Sequence, residues 1–213
     1  MFEIKHRETG EVLLALDVDS LAGQRLTGAR LRGALLAGMD LSGADLSNSD
    51  LRATDLTGAQ LVGTQMNACC LNGSAADGAN FHKANLTDAK LINVSLVRAD
   101  LTCSILRYAE LTGGKLTGAN FTDADLSMTG LRANLGDAVL ARADLRGADL
   151  TDANLRGANL TGANMKGATL TRADLVGAKV GGAIDAHGHK LAAFSAKPAP
   201  KPQKRWWQIW PTA

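Results

Sequence analysis

Leucine returns at every fifth residue of this 213-residue chain, and that period decides what the chain can fold into. The series starts at Leu16, runs through Leu21, Leu26 and Leu31 to Leu131, loses one residue, and resumes at Leu135 as far as Val180. Of the 34 sites 28 are leucine, the others being Met66, Ala76, Phe81, Phe121, Met165 and Val180. A second register two residues earlier is small (Ala, Ser, Thr, Gly or Cys) at 29 of the 34 sites, without a break over Ala143, Ala148, Ala153, Ala158 and Ala163. Between the two registers stands Asp or Asn in many repeats, as at Asp144, Asp149, Asn154, Asn159 and Asn164. The leucine is typically followed by Thr, Ser or Arg and then Gly.

Neither a helix nor a simple strand accounts for a period of five. An α-helix would rotate the leucine by about 140° at each step and smear it around the circumference. A chain that turns a corner every five residues keeps both registers inside. Four such sides make a coil of roughly twenty residues, stacked on the next by parallel backbone pairing. Leucine then fills the axis and the small residue leaves room for it. Leu46, Leu51, Leu56, Leu86, Leu145, Leu150, Leu155 and Leu160 are therefore predicted core residues. Aromatics are only 4% of the chain, so the core has to be aliphatic.

The stretch ADLRGADLTDANLRGANLTGANM (143–165) resembles the consensus of the pentapeptide-repeat family, and the resemblance covers about 165 of the 213 residues. It implies an all-β fold, a right-handed quadrilateral parallel β-helix of about eight coils. At the spacing of paired strands that is a rod about 40 Å long. Parallel crossovers are overwhelmingly right-handed, which supports the same hand. The quinolone-resistance members of the family and their mycobacterial relatives look like a DNA duplex and bind type II topoisomerases. The resemblance therefore names DNA gyrase as one partner to consider.

Three regions follow. Residues 1–16 read as an N-terminal β-hairpin cap, with alternation over Phe2 to His6, a turn at Glu8-Thr9-Gly10 and a second strand over Glu11 to Leu16. Residues 17–185 are the β-helix, whose first repeats are atypical, with Asp19 and Gln24 in the small register. Residues 186–213 are a Lys/Pro linker and a basic, Trp-rich tail. Within the repeats, the shortened step LRANL at Leu131–Leu135 reads as a tightened corner that the solenoid absorbs, the alternative being a kink between two stacks. Ala76 leaves a deficit in the leucine series that Phe81, on the next side of the same coil, is placed to fill, and Met66 reads as a flexible core filler.

The formal net charge is +2, made of −1 in residues 1–15, −2 in residues 16–185 and +5 in residues 186–213. Arg30, Arg32, Arg52, Lys90 and Arg132 share one side of the coil, which reads as basic. Duplex DNA carries one charge per roughly 1.7 Å, so a rod this near neutrality makes a poor imitation of it. No long extruded loop interrupts the period.

Catalytic chemistry finds no support. Cys69, Cys70 and Cys103 show no metal-ligand spacing, and His187-Gly188-His189 reads as a polar turn on the last coil rather than a metal site. No catalytic residue, metal or cofactor is expected, because a convex wall offers no desolvated pocket. No apolar stretch approaches the length that spans a bilayer and the N-terminus lacks the order of a secretory signal, so a cytoplasmic location is expected.

The function expected is a structural or protein-interaction scaffold with an unidentified protein partner and no direct contact with nucleic acid. The alternatives are a DNA-mimicking modulator of gyrase and a membrane-peripheral protein tethered by its tail. In the tail, Lys204, Arg205, Trp206, Trp207, Ile209 and Trp210 form a candidate docking segment for a protein or an acidic membrane. The rival expectation is that the tail folds back as a cap near Val180 and Ile184. The extended linker favours docking.

Overall fold

The computed structural model describes residues 1–191. From Arg25 onward each side of the chain pairs in parallel with the side one coil above. The bridges Arg25↔Asp45, Arg30↔Asp50, Leu35↔Asp55 and Asp40↔Gln60 define the four faces of the rod, taken below as faces one to four. The result is a right-handed quadrilateral β-helix.

The corners show why the period is five. At the regular corners the N–H three residues after the leucine donates to that leucine's carbonyl, as from Ala29 to Leu26 (3.1 Å) and from Ala148 to Leu145 (3.1 Å). The residue before that donor has a positive φ, +69° at Gly28 and +66° at Gly147. This is what the third residue of a type II turn requires, and it explains the glycine of the repeat. Backbone groups beside the turn bond between coils, as in Leu26 N–H to Asp45 C=O (2.7 Å) and Asp45 N–H to Gln24 C=O (2.9 Å).

Both inward registers form one continuous apolar axis. Leu46, Leu51, Leu56, Leu86, Leu145, Leu150, Leu155 and Leu160 are all fully buried. Ala76 and Phe81 are buried in the same core. Where the small residue is Ser or Thr, its hydroxyl donates to a leucine carbonyl, as from Thr64 to Leu61 (2.7 Å) and from Ser74 to Leu51 (2.7 Å). Among the described residues no buried side-chain polar atom lacks a partner.

The shortened step is absorbed in place. Lys115 pairs with Asn134, nineteen residues on, and Asn134 pairs with Asn154, twenty on. Ala133 does not adopt the positive φ found at the other corners, so one turn residue is simply dropped. Leu131 N–H still reaches Asp149 C=O (2.8 Å) and Asn134 N–H reaches Gly114 C=O (3.0 Å), which keeps the stack unbroken.

Both ends finish in antiparallel pairing. At the start, β1 (Phe2–Lys5) and β2 (Val12–Leu16) form a hairpin. The chain beyond β1 docks on the first coil through Arg7 N–H to Gly33 C=O and Leu35 N–H to Lys5 C=O, both 2.8 Å. A Cβ at Gly33 would overlap the His6 ring, so this docking depends on glycine there. Leu16 ends the second strand, as the hairpin reading expects, and only its place as first inward residue of the leucine series is corrected. It begins the leucine series by period, but it stands in β2 opposite Phe2 and is only half-buried, and the inward series begins at Leu21. The hairpin register takes Leu16 because the first coil has no coil beneath it to pair with. At the other end, Ile184 pairs with Lys190 and Leu191 N–H donates to Ala183 C=O (2.7 Å). His187, Gly188 and His189 make the turn between them, with Asp185 Oδ1 accepting from the N–H groups of His187 (2.9 Å) and His189 (2.8 Å).

Candidate functional surface

What the rod offers is its outer shell, built from three residues of each repeat. The Asp or Asn before the leucine accepts, through Oδ1, the N–H of the residue after it. Examples are Asp45 from Ser47 (3.0 Å), Asp100 from Thr102 (2.9 Å), Asp149 from Thr151 (3.0 Å) and Asn159 from Thr161 (3.1 Å). This local bond is the physical reason for the residue type, because Asp and Asn side chains close such turns on their own backbone. Amides also stack from coil to coil, as in Asn80 to Gln60 (3.1 Å) and Asn154 to Asn134 (2.8 Å).

Many remaining carboxylates face arginine. Arg142 meets Asp123, Arg146 meets Asp144 and Arg52 meets Asp50, each at 2.6 Å. Arg156 meets Asp174 at 2.9 Å, and Asp152 stands between Arg172 (2.5 Å) and Arg132 (3.6 Å). Such exposed pairs stabilise little, but they cancel surface charge. The bonds leave a mark on titration. The Ser42 and Ser47 hydrogen bonds hold Asp40 and Asp45 below the usual carboxylate range, and Arg142 and Arg172 do the same for Asp123 and Asp152. Burial raises Asp144, but the bonds from Arg146 outweigh it and the net direction is down. Burial pushes the Cys69 thiol up to about 12, with Cys70 adding to it. Cys69 is thus an inert core residue.

The side read as basic is mixed. Arg30, Arg32, Arg52, Lys90 and Arg132 share it with Asp50, Glu110, Asp149 and Asp152, and Arg52 and Arg132 are paired to acids of that side. Period alone assigned the faces correctly, but counting only the cations overstated the charge.

One feature was passed over in the sequence. Ile105, Tyr108 and Met128 stand exposed together on face one and the corner after it, beside a shallow groove of about 290 Å³. Arg107, Met128, Arg146 and Lys166 line the groove over Gly147 and Gly167. The signal was available, since Tyr108 and Met128 occupy a turn position that the rest of this corner gives to small or polar residues. The eight predicted core leucines lie inside the rod and no part of them reaches this surface. Lys204, Arg205, Trp206, Trp207, Ile209 and Trp210 lie outside the described residues. Among the described residues no helix is long and apolar enough to cross a membrane. Nor does any group of three His, Cys, Asp or Glu side chains there suit a metal ion.

Eight copies of the motif described as Pentapeptide repeats match over 20–52, 36–73, 79–118, 104–128, 131–167 and 148–184, well over half of the chain. The chain belongs to the pentapeptide-repeat family. None of the curated proteins matches it. Among solved pentapeptide-repeat structures it is similar to HetL, a protein involved in heterocyst differentiation regulation from the cyanobacterium Nostoc sp. strain PCC 7120. Identity there is 32%, over 81% of this chain and 89% of that one, with a TM-score of 0.39. QnrB1, a plasmid-mediated fluoroquinolone resistance protein, is 16% identical over 81% of this chain and 89% of its own, with a TM-score of 0.46. Rfr23, a pentapeptide repeat protein from the cyanobacterium Cyanothece 51142, is 37% identical over 44% of this chain and 58% of its own, with a TM-score of 0.22. Pentapeptide-repeat proteins are in general scaffolds without catalytic activity.

Proposed function

We propose that this pentapeptide-repeat protein is a non-catalytic scaffold that binds protein partners through the outside of its rod, in the cytoplasm. The observation that carries this reading is the condition of the outward carboxylates. Those of Asp123, Asp144 and Asp152 are paired with arginine, which cancels their charge, and residues 16–185 sum to a formal −2. A DNA mimic needs an unneutralised negative wall, since duplex DNA carries one charge per roughly 1.7 Å. A general acid needs a carboxyl raised toward neutrality, and the shifts here run the other way.

A supercoiling assay with purified gyrase tests the reading against the mimic. Supercoiling is expected to proceed unchanged with the full chain in excess, while the immobilised chain retains protein partners from extract. Inhibition at stoichiometric amounts would replace the scaffold with a gyrase modulator. The tail residues Lys204 to Trp210 belong to this proposal as a second docking element. Removing residues 192–213, which leaves the Lys190 and Leu191 pairing intact, separates their contribution from that of the rod.

A further inference from the structure

The internal repeats give each position its own set of comparisons. In the corner after face one, the second residue past the leucine is Gly28, Asn48, Ala68, Asp88, Tyr108, Met128, Gly147 and Gly167 in successive coils. Two adjacent coils thus replace a small or polar residue with a large one. Both pay for it in backbone conformation, since Tyr108 and Met128 each take φ of +60°. A bulky side chain is disfavoured in that region, where Gly or Asn fits without strain. Nothing in the fold requires the substitution, because the coils below and above make the same turn without it. Lys83, Arg98, Arg142 and Arg172 take nearly the same φ at other corners (56–58°), so what sets this corner apart is that its two large side chains are apolar and exposed.

The exposure is concentrated. Ile105 (41%), Tyr108 (53%) and Met128 (55%) are three of the seven exposed large hydrophobic residues among those described. Tyr108 and Met128 occupy the same corner of neighbouring coils, and Ile105 lies on the face that leads into it. Tyr108 N–H bonds to Ser127 C=O (3.2 Å), which sets Met128 one coil above Tyr108. Ile105 bridges Asp125 in the same coil as Met128. The patch is also held in shape. The Arg107 guanidinium lies 5.8 Å from the Tyr108 ring centre. The Met128 sulfur rests where a Cβ at Gly147 would stand, so the side chain lies along the groove floor.

Charge chooses the occupant. Arg107, Arg146 and Lys166 rim the groove. Asp125 pairs with Arg107 (3.7 Å) and Asp144 with Arg146 (2.6 Å), so the two arginines are balanced and the net positive charge of the rim rests on Lys166. Lys166 forms no ion pair among the described residues. A second copy presenting the same patch would bring like charges together, and the Lys201, Lys204 and Arg205 tail carries the same sign. We propose that Ile105, Tyr108 and Met128, with the groove between Arg107, Arg146 and Lys166, form the docking site for an acidic partner peptide with an aromatic or aliphatic anchor. The site rests on the scaffold reading and gives it a location.

The test uses the full chain and a fluorescein-labelled peptide of alternating Glu and Phe residues, followed by anisotropy. A control peptide carries Lys in place of Glu. The acidic peptide is expected to bind saturably and more weakly as salt rises, and the basic one not at all. Tyr108→Asn and Met128→Asn relax the strained turn, so the melting temperature stays the same or rises. Each is expected to weaken binding about tenfold or more, as loss of a buried anchor does. Lys166→Glu weakens it without touching the apolar patch. Equal binding of both peptides, or full affinity in Met128→Asn, overturns the site. So does a preference for phosphatidylserine vesicles over the peptide, which would reassign the patch to a membrane. A partner retained by the immobilised chain and not released by Tyr108→Asn sinks the site and leaves the scaffold standing. Retention of no partner at all sinks the scaffold itself.

Discussion

The two ends of the rod solve the same problem to different depths. At the start a hairpin of two strands covers the first coil, Ile4 is fully buried, and Leu21, Leu26, Leu31 and Leu36 are at most 3% exposed. At the finish a single turn over 185–189 pairs back on Ile184, and within the described residues Leu170, Leu175 and Val180 remain half-buried. Closing the backbone edge and covering the apolar axis are thus separate tasks. The hairpin does both, while the C-terminal turn closes the edge of one face. In a solenoid each coil is held mainly by its neighbours, so a poorly covered last coil sets where opening begins.

The largest effect should come from mid-rod, where neither end helps. Leu150→Asp places a charge without a partner in the apolar axis, costing several kcal/mol or more. Loss of the cooperative melt by circular dichroism is expected. A folded variant with an unchanged melt would show that Leu150 is not inward.

Next comes the contrast between the caps. Ile4→Ala should cost about 2–5 kcal/mol, as for a well-buried aliphatic residue. Leu175→Ala, at a half-covered site, should cost about 1 kcal/mol by the apolar area it has removed from water. Equal losses in denaturant titrations would mean that the last coil is as well supported as the first. Asp185→Ala is smaller and local. It frees the N–H groups of His187 and His189, so amide exchange should rise over 183–191 and stay as it was around β1 and β2.

How far all this could be read in advance depends on where the information lies along the chain. The inward leucines, the four faces and the absorbed step at Leu131–Leu135 follow from a local period, because each repeat dictates its own turn. Leu16 fits the period yet belongs to β2, since a terminal segment has no coil beneath it and obeys strand pairing instead. Pairs such as Arg142–Asp123 join residues nineteen apart, and Arg172–Asp152 twenty apart. Face assignment brings these residues near one another, but side-chain direction decides which acid meets which base. The Tyr108 and Met128 patch was legible only as a departure from the repeat, and a search for matches to a consensus looks past departures.

Acid should sharpen the difference between the two ends most finely. Nine carboxylates are held below their ordinary range: Asp40, Asp45 and Asp50 toward the start, and Asp123, Asp144, Asp149, Asp152, Asp174 and Asp185 toward the finish. A carboxyl lowered in the folded state binds its proton less readily there than in the unfolded chain. Its contribution is therefore complete above the unfolded value of about 3.9 and is lost as pH falls through the lower folded value. Six such groups against three mean that acid should loosen the C-terminal coils first, where the core is already least covered. Pepsin at about pH 3, below the unfolded value, is the matching probe. The earliest cuts are expected after residue 160, with residues 2–60 surviving longest. Salt then separates two causes. The parts owed to Arg142 at Asp123 and Arg172 at Asp152 are screened as salt rises, whereas the bonds to Asp40 from Ser42 and to Asp185 from His189 are short-range and persist. Molar salt should narrow the gap between the ends without closing it. Earliest cleavage at the N-terminal hairpin would reverse the ranking of the two caps.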